Sequence, residues 1–309
     1  MAGAWRIWLA DALAPEGHER LAKEAEPVEG TPAECLGSVD AVIVRSRTRV
    51  DAGFLRSGGP RLRVVGRAGV GVDNIDLAAA RELGVLVVHA PEASTLAVAE
   101  YALALMLALA RNLPSAHESL RSGAWKKADF VGSELHGKVL GILGFGRIGT
   151  ALGVRARVLG MAVLAHDPYL GESEIRSRGA MPVSWETLLE QSDYLSLHAP
   201  LAEETRGLMN EAAFQRMKPG ARLISTARGG IIDESALLQA LESGRLAGAA
   251  LDVFSTEPPA ISALLQNPRI IATPHIAGQT HEAQARVALD IAEEVLAALK
   301  GEPLRWRVA

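Results

Sequence analysis

The sequence predicts an α/β protein with two doubly wound parallel-sheet domains and a cleft between them. Its 309 residues are enough for two domains with separate hydrophobic cores. Short apolar segments alternate with helical or loop segments in two series, which is typical of parallel sheets. The first series has four predicted strands, at 5–10, 39–44, 62–65 and 85–88. The second has six, at 139–143, 162–165, 194–197, 222–225, 248–251 and 270–272.

Two long helices are predicted outside these series. The segment 97–111 has almost no polar face and must be buried on most sides, as a hinge helix or a subunit interface. It is too short to span a bilayer, and Glu100 lies inside it. The segment 282–299 is amphipathic, and we expect it to return to the first domain.

Composition excludes several classes of function. A net charge of −4 and a charged fraction of 22% predict no nucleic-acid or membrane partner. The single cysteine, Cys35, cannot form an internal disulfide or a multi-cysteine zinc site, so we expect no metal and a reducing, cytoplasmic environment. The N-terminus does not read as a signal peptide.

The segment 138–149 has the pattern of a dinucleotide site. The apolar strand 139–143 is followed by Gly144, Gly146 and Gly149 in G-x-G-x-x-G spacing, and a helical pattern then begins. Gly144 permits the tight turn, Gly146 admits the pyrophosphate, and Gly149 lets the helix pack against the strand. The helix N-terminus offers free N–H groups to phosphate. The glycines alone are weak support, because glycine-rich turns are common.

An acidic residue strengthens the prediction of a Rossmann-like NAD site. Asp167 ends the next predicted strand, eighteen residues after Gly149, where a carboxylate can hold the adenosine ribose. It would repel a 2′-phosphate, so NAD is favoured over NADP. The alternative is a surface aspartate in a turn before Pro168.

Polar residues follow the later strands, where ligands of open parallel sheets bind. They are His198-Ala199-Pro200, Thr226-Ala227-Arg228, Asp252 and Pro274-His275, with Glu257 in the loop after Asp252. Oxidation of a hydroxy acid needs a carboxylate anchor, a proton acceptor, and a carboxylate that stabilises the resulting imidazolium. Arg228, His275 and Glu257 supply one of each.

Each of these residues also has a purely structural interpretation. Arg228 can pair with a surface acid, His275 can be a buried core histidine, and Glu257 can be a solvated loop acid. His198 is interpreted as structural rather than catalytic.

Five segments together resemble the D-2-hydroxyacid dehydrogenase family: 141–149, 198–201, 227–233, 251–258 and 273–278. The resemblance implies that Arg228 binds and polarises the substrate, and that His275 is the acid/base paired with Glu257. It also implies a set of NAD contacts, namely Gly144, Gly146, Arg147, Ile148, Gly149, Asp167, His198, Ala199, Pro200, Thr226, Ala227, Asp252 and Gly278. Of these, Asp252 is expected at the nicotinamide carboxamide.

The resemblance also implies a domain arrangement. Residues 1–93 plus 282–309 would form a flavodoxin-like substrate-binding domain, and 94–281 the NAD-binding Rossmann domain. Family members are usually homodimers joined through their nucleotide domains, which would explain the apolar helix.

Two more segments, 44–46 and 65–76, resemble the members that oxidise 3-phospho-D-glycerate in serine biosynthesis. The resemblance implies that N–H groups of Gly69, Val70 and Gly71 meet the substrate carboxylate, and that Arg45 and Arg67 meet the phosphate. Lys126 would add positive charge, from this chain or a partner subunit. Because the sequence ends at Ala309, no feedback through a further C-terminal domain is expected.

Other functions stay open. The loop 276–280 departs from the form expected in the most similar members, so a glyoxylate or hydroxypyruvate reductase, or a broad D-2-hydroxyacid dehydrogenase, is the first alternative. A non-catalytic NAD-sensing protein, similar to the corepressors of this fold, is the second. The presence of Arg228, Glu257 and His275 in one sequence favours an enzyme.

Overall fold

The computed structural model describes residues 4–309, which divide into two compact units. Unit 1 comprises the chain up to Thr95 together with Gly278–Ala309, and unit 2 comprises Leu96–Ala277. The boundaries predicted from the sequence, 93 and 281, differ from these by two and four residues. Both sheets are entirely parallel, as predicted.

Unit 1 contains a five-stranded sheet in the order β2-β1-β3-β4-β5, which is the strand order of a flavodoxin-like fold. Its strands are β1 Trp5–Leu9, β2 Ala25–Val28, β3 Ala41–Val44, β4 Val64–Arg67 and β5 Leu86–His89. Helices α1 Pro15–Ala22, α2 Pro32–Cys35, α3 Ala52–Ser57 and α4 Leu77–Glu82 connect them, with a short 3-10 helix at Gly59–Arg61. Strand β2 was not expected, because Glu26 and Pro27 obscure its apolar pattern. Proline is accommodated here because β2 is the edge strand.

Unit 2 contains a seven-stranded sheet in the order β12-β11-β10-β9-β6-β7-β8. Its strands are β6 Val139–Leu143, β7 Ala162–His166, β8 Met181–Pro182, β9 Tyr194–Leu197, β10 Ala221–Ser225, β11 Leu246–Leu251 and β12 Ile270–Ala272. Read from β8, this is the strand order of a dinucleotide-binding sheet with a seventh strand added. All six predicted strands are present. The additional strand, β8, has only two residues and leaves no periodicity to detect.

The helices of unit 2 include the apolar segment predicted from the sequence. They are α5 Thr95–Ala110, α6 Leu113–Arg121, α7 Arg147–Val158, α8 Glu172–Ser177, α9 Trp185–Gln191, α10 Glu211–Arg216, α11 Glu234–Glu242 and α12 Ala263–Gln266. Helix α5 packs Leu105, Met106 and Leu109 into one core with Leu140 and Ile142 of β6. No single helix of residues 4–309 has the length and hydropathy of a membrane span. Only α5 and α6 taken together do, and they are bent by 62°.

The last helix, α13 His281–Lys300, belongs to unit 1. The side chain of Thr280 caps it by accepting a hydrogen bond from Ala283 N. Its buried Ile291 and Val295 lie against Gly66 of β4, where a Cβ would overlap the Val295 side chain. Burying two such side chains contributes about 3–6 kcal/mol in all. Unit 1 therefore needs both ends of the chain to complete its core.

Candidate functional site

The glycine turn after β6 is shaped by close backbone contacts. Gly144 has φ +83°, and a Cβ there would lie 2.7 Å from Ala199 N. A Cβ at Gly149 would overlap the carbonyl oxygen of Gly144. Gly146, by contrast, has no atom within 4 Å of a Cβ position, so its surface is open. Because α7 begins directly afterwards with Arg147 and Ile148, its first N–H groups and positive dipole end lie beside this opening.

Asp167 lies at the tip of β7, beside the same turn. Its Oδ2 accepts a hydrogen bond from Phe145 N at 2.8 Å, and its Oδ1 accepts one from Tyr169 N at 3.0 Å. Each carboxylate oxygen keeps a further lone pair for a hydroxyl donor. Arg178, which sequence reasoning missed, donates to Phe145 O at 2.9 Å and so holds the other side of that residue. No strand-end or glycine signal marks Arg178.

Buried polar atoms line the ends of β9 and β10. In the described part of the chain, His198 Nδ1, Ser225 Oγ and Thr226 Oγ1 are buried without a hydrogen-bond partner. Buried polar atoms without partners are uncommon, and a bound molecule is one way to satisfy them. Together with the open surface at Gly146 and the carboxylate of Asp167, they fit a dinucleotide. Ala199, Pro200 and Ala227 adjoin these residues along the chain.

His198 is neutral at physiological pH. Burial lowers the pKa of His198 to about 4, because the charged imidazolium would lose its hydration. Its Nε2 lies 2.8 Å from Ser196 Oγ, and its backbone adjoins Gly144. The structural role expected of His198 stays a prediction.

Glu257 and His275 form a hydrogen-bonded pair. His275 Nδ1 lies 2.7 Å from Glu257 Oε2, and Glu257 Oε1 accepts a hydrogen bond from Phe254 N at 3.2 Å. Because a carboxylate only accepts, Nδ1 carries the hydrogen, which leaves Nε2 as the atom that can take up a proton. The side chains are 38% and 44% exposed, so the pair is accessible to a ligand.

The backbone at His275 is held in an unusual conformation by Asp252. His275 has φ +53°, in the left-handed region. The buried carboxylate of Asp252 accepts hydrogen bonds from Ile276 N at 2.9 Å and Ala277 N at 2.8 Å. It also accepts one from Thr273 Oγ1 at 2.6 Å. These protein contacts were not foreseen, and the expected contact of Asp252 with the nicotinamide stays a prediction.

Arg228 lies in the loop after β10, and its Nη1 donates to Ala227 O at 2.7 Å. The next residue, Gly229, packs against the backbone of Phe254 and Ser255, where no Cβ could fit. The Arg228 loop therefore touches the segment that leads to Glu257. Arg228, Glu257 and His275 follow the adjacent strands β10, β11 and β12, so all three belong to one rim of one sheet.

The predicted phosphate ligands belong to a rim of the other sheet. Arg45 directly follows β3 and Arg67 ends β4, next to it. Arg45 Nη2 donates to Gln279 Oε1 at 3.4 Å, and Arg67 Nη1 donates to Ala68 O at 2.7 Å. The turn Gly69–Gly71 follows, with φ +143° at Gly69. Within residues 4–309, the N–H groups of Val70 and Gly71 make no hydrogen bond.

Two polar residues that the sequence did not single out support this rim. Asp11 accepts hydrogen bonds from Arg45 N at 2.6 Å and Thr48 N at 3.3 Å. Asn74 donates to the carbonyls of Arg45 and Thr48, at 2.7 and 2.6 Å. Asp11 lies two residues after β1, so applying the strand-end rule to the first sheet would have found it.

The remaining candidates are less defined. Lys126 is exposed and precedes a short 3-10 helix at Lys127–Phe130. Gly278, the first residue of the returning chain, accepts a hydrogen bond from Gln284 Nε2 at 3.0 Å. No cluster of three or more metal-ligating side chains occurs within residues 4–309.

Known proteins resemble this chain along its whole length. Residues 103–277 match the family model of the D-isomer specific 2-hydroxyacid dehydrogenase NAD binding domain. The chain is 44% identical over 305 residues to D-3-phosphoglycerate dehydrogenase of Bacillus subtilis, covering 97% of this chain and 58% of that protein. It is 49% identical over 264 residues to chloroplastic D-3-phosphoglycerate dehydrogenase 3 of Arabidopsis thaliana, covering 85% and 45%. The chain thus spans about half the length of these curated relatives.

A solved structure of similar length also matches. It is a glyoxylate reductase from Paecilomyes thermophila, with a TM-score of 0.89 and 33% identity. The match covers all of this chain and 99% of that one.

Proposed function

The chain belongs to the D-isomer specific 2-hydroxyacid dehydrogenase family, and on that basis we propose that it oxidises 3-phospho-D-glycerate to 3-phosphohydroxypyruvate with NAD. The observation that carries the proposal is the Glu257–His275 pair on the unit that bears the glycine turn and Asp167. An NAD-sensing protein would need no such proton acceptor. The choice of substrate is supported by the 44% and 49% identity to phosphoglycerate dehydrogenases.

The reaction removes a hydride and a proton from the substrate. NAD supplies the acceptor for the hydride that leaves C2. His275 Nε2 takes the proton of the C2 hydroxyl, so the hydroxyl becomes a carbonyl. Glu257 stabilises the imidazolium and fixes its ring orientation, since Nδ1 already donates to it. On reduction, the same proton returns to the oxygen.

Arg228 would bind the substrate carboxylate and polarise the C2 oxygen. A guanidinium suits this role because it can form two parallel hydrogen bonds to a carboxylate and does not lose its charge. The contact of Gly229 with Phe254 ties its loop to the segment before Glu257, which limits drift between the two.

The first unit would supply the remaining substrate contacts. The N–H groups of Val70 and Gly71 are donors for the carboxylate, and Arg45 and Arg67 are cations for the phosphate. A phosphate carries close to two negative charges and three acceptor oxygens, so it needs several donors. We therefore assign unit 1 to the substrate and unit 2 to NAD, with Lys126 as an additional cation.

The protein would act as a homodimer in the cytoplasm, joined through unit 2. Five large apolar side chains within residues 107–131 are exposed, with fractions between 43% and 83%. They are Leu107, Leu113, Leu120, Trp125 and Val131. Exposed large apolar side chains concentrated in one stretch of the sequence are candidates for a protein interface, and a second copy could cover them. Sedimentation velocity tests this: a monomer at micromolar concentration would contradict it.

A panel of substrates tests the proposed reaction. NADH formation is followed with 3-phospho-D-glycerate, and NADH consumption with glyoxylate, hydroxypyruvate and other 2-oxo acids. The same panel is run with NADP(H). We expect the highest kcat/KM for the phosphorylated pair with NAD. Absence of turnover with every compound would favour the NAD-sensing alternative.

Glyoxylate reduction is the second candidate, because the glyoxylate reductase matches this chain almost end to end. The contribution of the phosphate decides between the two. Replacing Arg45 and Arg67 by alanine should raise KM for phosphoglycerate and leave KM for glyoxylate nearly unchanged. Equal effects on both substrates would contradict the phosphate assignment.

A further inference from the structure

The carbonyl groups of Gly69 and Val70 are bound by His89, the last residue of β5, and by Ala90, which follows it. Ala90 N donates to Gly69 O at 3.1 Å. His89 Nδ1 lies 2.8 Å from Val70 O. Since a carbonyl oxygen can only accept, Nδ1 of His89 must carry the hydrogen.

This contact also determines where an N–H group points. Val70 C=O and Gly71 N–H belong to one planar trans peptide, so they point in opposite directions. Fixing the carbonyl toward His89 therefore directs Gly71 N–H away from it. Donation to the carbonyl also polarises the peptide and makes its N–H a stronger donor. Within the described chain, that N–H has no acceptor of its own.

His89 is itself held by the C-terminal tail. Its backbone N donates to Trp306 O at 3.2 Å, and Val88 forms an antiparallel bridge with Arg307. The tail is fixed in turn by Glu294 of α13, which is 2% exposed. Glu294 Oε2 accepts hydrogen bonds at 3.1 Å from the backbone N atoms of Arg305 and Trp306. The imidazole thus projects from a backbone that is hydrogen-bonded to the tail.

We propose that His89 is a positioning residue for substrate binding, acting through the Val70–Gly71 peptide without touching the substrate. The inference rests on the proposed function, in which the turn receives the substrate carboxylate. His89 keeps the Gly71 N–H aimed and polarised before the substrate arrives. Its role is confined to binding the carboxylate and does not extend to hydride or proton transfer, whose groups belong to unit 2.

The test compares His89→Leu with His89→Asn. Leucine removes the donor at similar volume, whereas the Nδ2 of asparagine can replace Nδ1 as donor to Val70 O. For His89→Leu we expect KM for the hydroxy acid to rise about tenfold, because the loss of one hydrogen bond has an effect of this size. The values of kcat and of KM for NAD should stay unchanged. His89→Asn should restore most of the loss.

The control is Ser38→Ala. In the wild type, Ser38 Oγ donates a half-buried hydrogen bond to Cys35 O at 2.9 Å, so this variant also removes a side-chain hydrogen bond to a carbonyl of unit 1. It should not alter KM. If His89→Leu does not fold, His89→Gln takes its place, because its longer side chain displaces the donor. The proposal is overturned if KM is unchanged in His89→Leu, or in His89→Gln where that variant replaces it, or if His89→Asn is impaired as much as His89→Leu.

Failure of the positioning role can be separated from failure of the proposed function. If wild type turns over glyoxylate but not phosphoglycerate, the proposed substrate is wrong, and the same comparison is made with glyoxylate, which also carries a carboxylate. If wild type turns over nothing, the proposed function is refuted, and the positioning role with it. If wild type is active and His89→Leu keeps its KM, only the positioning role is refuted.

Discussion

Replacing Asp252 by asparagine should destabilise the loop that carries His275 more than the same replacement at a surface aspartate destabilises its own surroundings. Asp252 is fully buried, and its carboxylate holds Ile276 N, Ala277 N and Thr273 Oγ1. Asparagine offers one acceptor oxygen, which can keep Ile276 and Thr273. Its amide nitrogen must then face the N–H of Ala277.

The magnitude follows from these contacts. A hydrogen bond to a charged group contributes about 1.5–3 kcal/mol, and a buried donor left without an acceptor costs about 1–3 kcal/mol. We therefore expect Asp252→Asn to lower the free energy of unfolding by about 3 kcal/mol. Release of the loop lets the backbone at His275 leave its left-handed conformation, and a displacement near 1 Å lowers kcat by about 100-fold.

Denaturant unfolding and steady-state kinetics measure the two effects. The matched control is Asp233→Asn, since the Asp233 carboxylate also accepts two backbone hydrogen bonds, from Ser235 N and Ala236 N, but at an exposed helix N-terminus. Asparagine caps helices as well as aspartate, so this variant should lose less than about 0.5 kcal/mol. If Asp252→Asn keeps the stability and the kcat of the wild type, the role assigned to this carboxylate is refuted.

Three further predictions follow from the site. His275→Ala should lower kcat by about two to four orders of magnitude, while calorimetry still detects NAD binding; near-normal turnover would reject the acid/base role. Gly149→Ala should weaken NAD binding, because the new methyl group would overlap Gly144 O; an unchanged Kd by calorimetry would contradict that packing argument. His198 should make folding sensitive to acid. Its pKa falls from 6.5 unfolded to about 4 folded, so the unfolded state binds more protons as pH drops. Above pH 6.5 this histidine does not lower the free energy of unfolding. Between pH 6.5 and pH 4 it lowers that free energy by about 3 kcal/mol. The fall in unfolding free energy from pH 7 to 4.5 should be smaller in His198→Gln, and an equal fall would contradict the burial argument.

The central strands could be predicted because both of their faces are buried and their sequences are continuously apolar. Strand β2 could not be predicted, because the sequence Ala-Glu-Pro-Val becomes a strand only through its pairing with β1. The position of Asp252 after its strand was visible in the sequence, but its partners were not. They come from residues 21 to 25 positions later in the chain, and no local pattern encodes that pairing.

The same limit explains what was missed in unit 1. His89 looks like any polar residue at a strand end, and its significance depends on Val70 and Trp306, which are distant in sequence. Chemistry at strand ends could be predicted because parallel strands bring their carboxyl ends to one edge. The hydrogen bonds that support those residues could be seen only once the fold had placed the segments side by side.

Unit 1 is built from two segments that are distant in sequence, and this affects how the chain folds during its synthesis. Unit 2 is one continuous stretch, so it can fold as soon as Ala277 has left the ribosome. The sheet of unit 1 must wait for Ile291 and Val295, which are translated 225 and 229 residues after the Gly66 they cover. During that interval its apolar face is exposed to water and to chaperones. A chain that stops at Gln279, before α13, should therefore contain a folded, protease-resistant unit 2 attached to an N-terminal segment that proteases degrade.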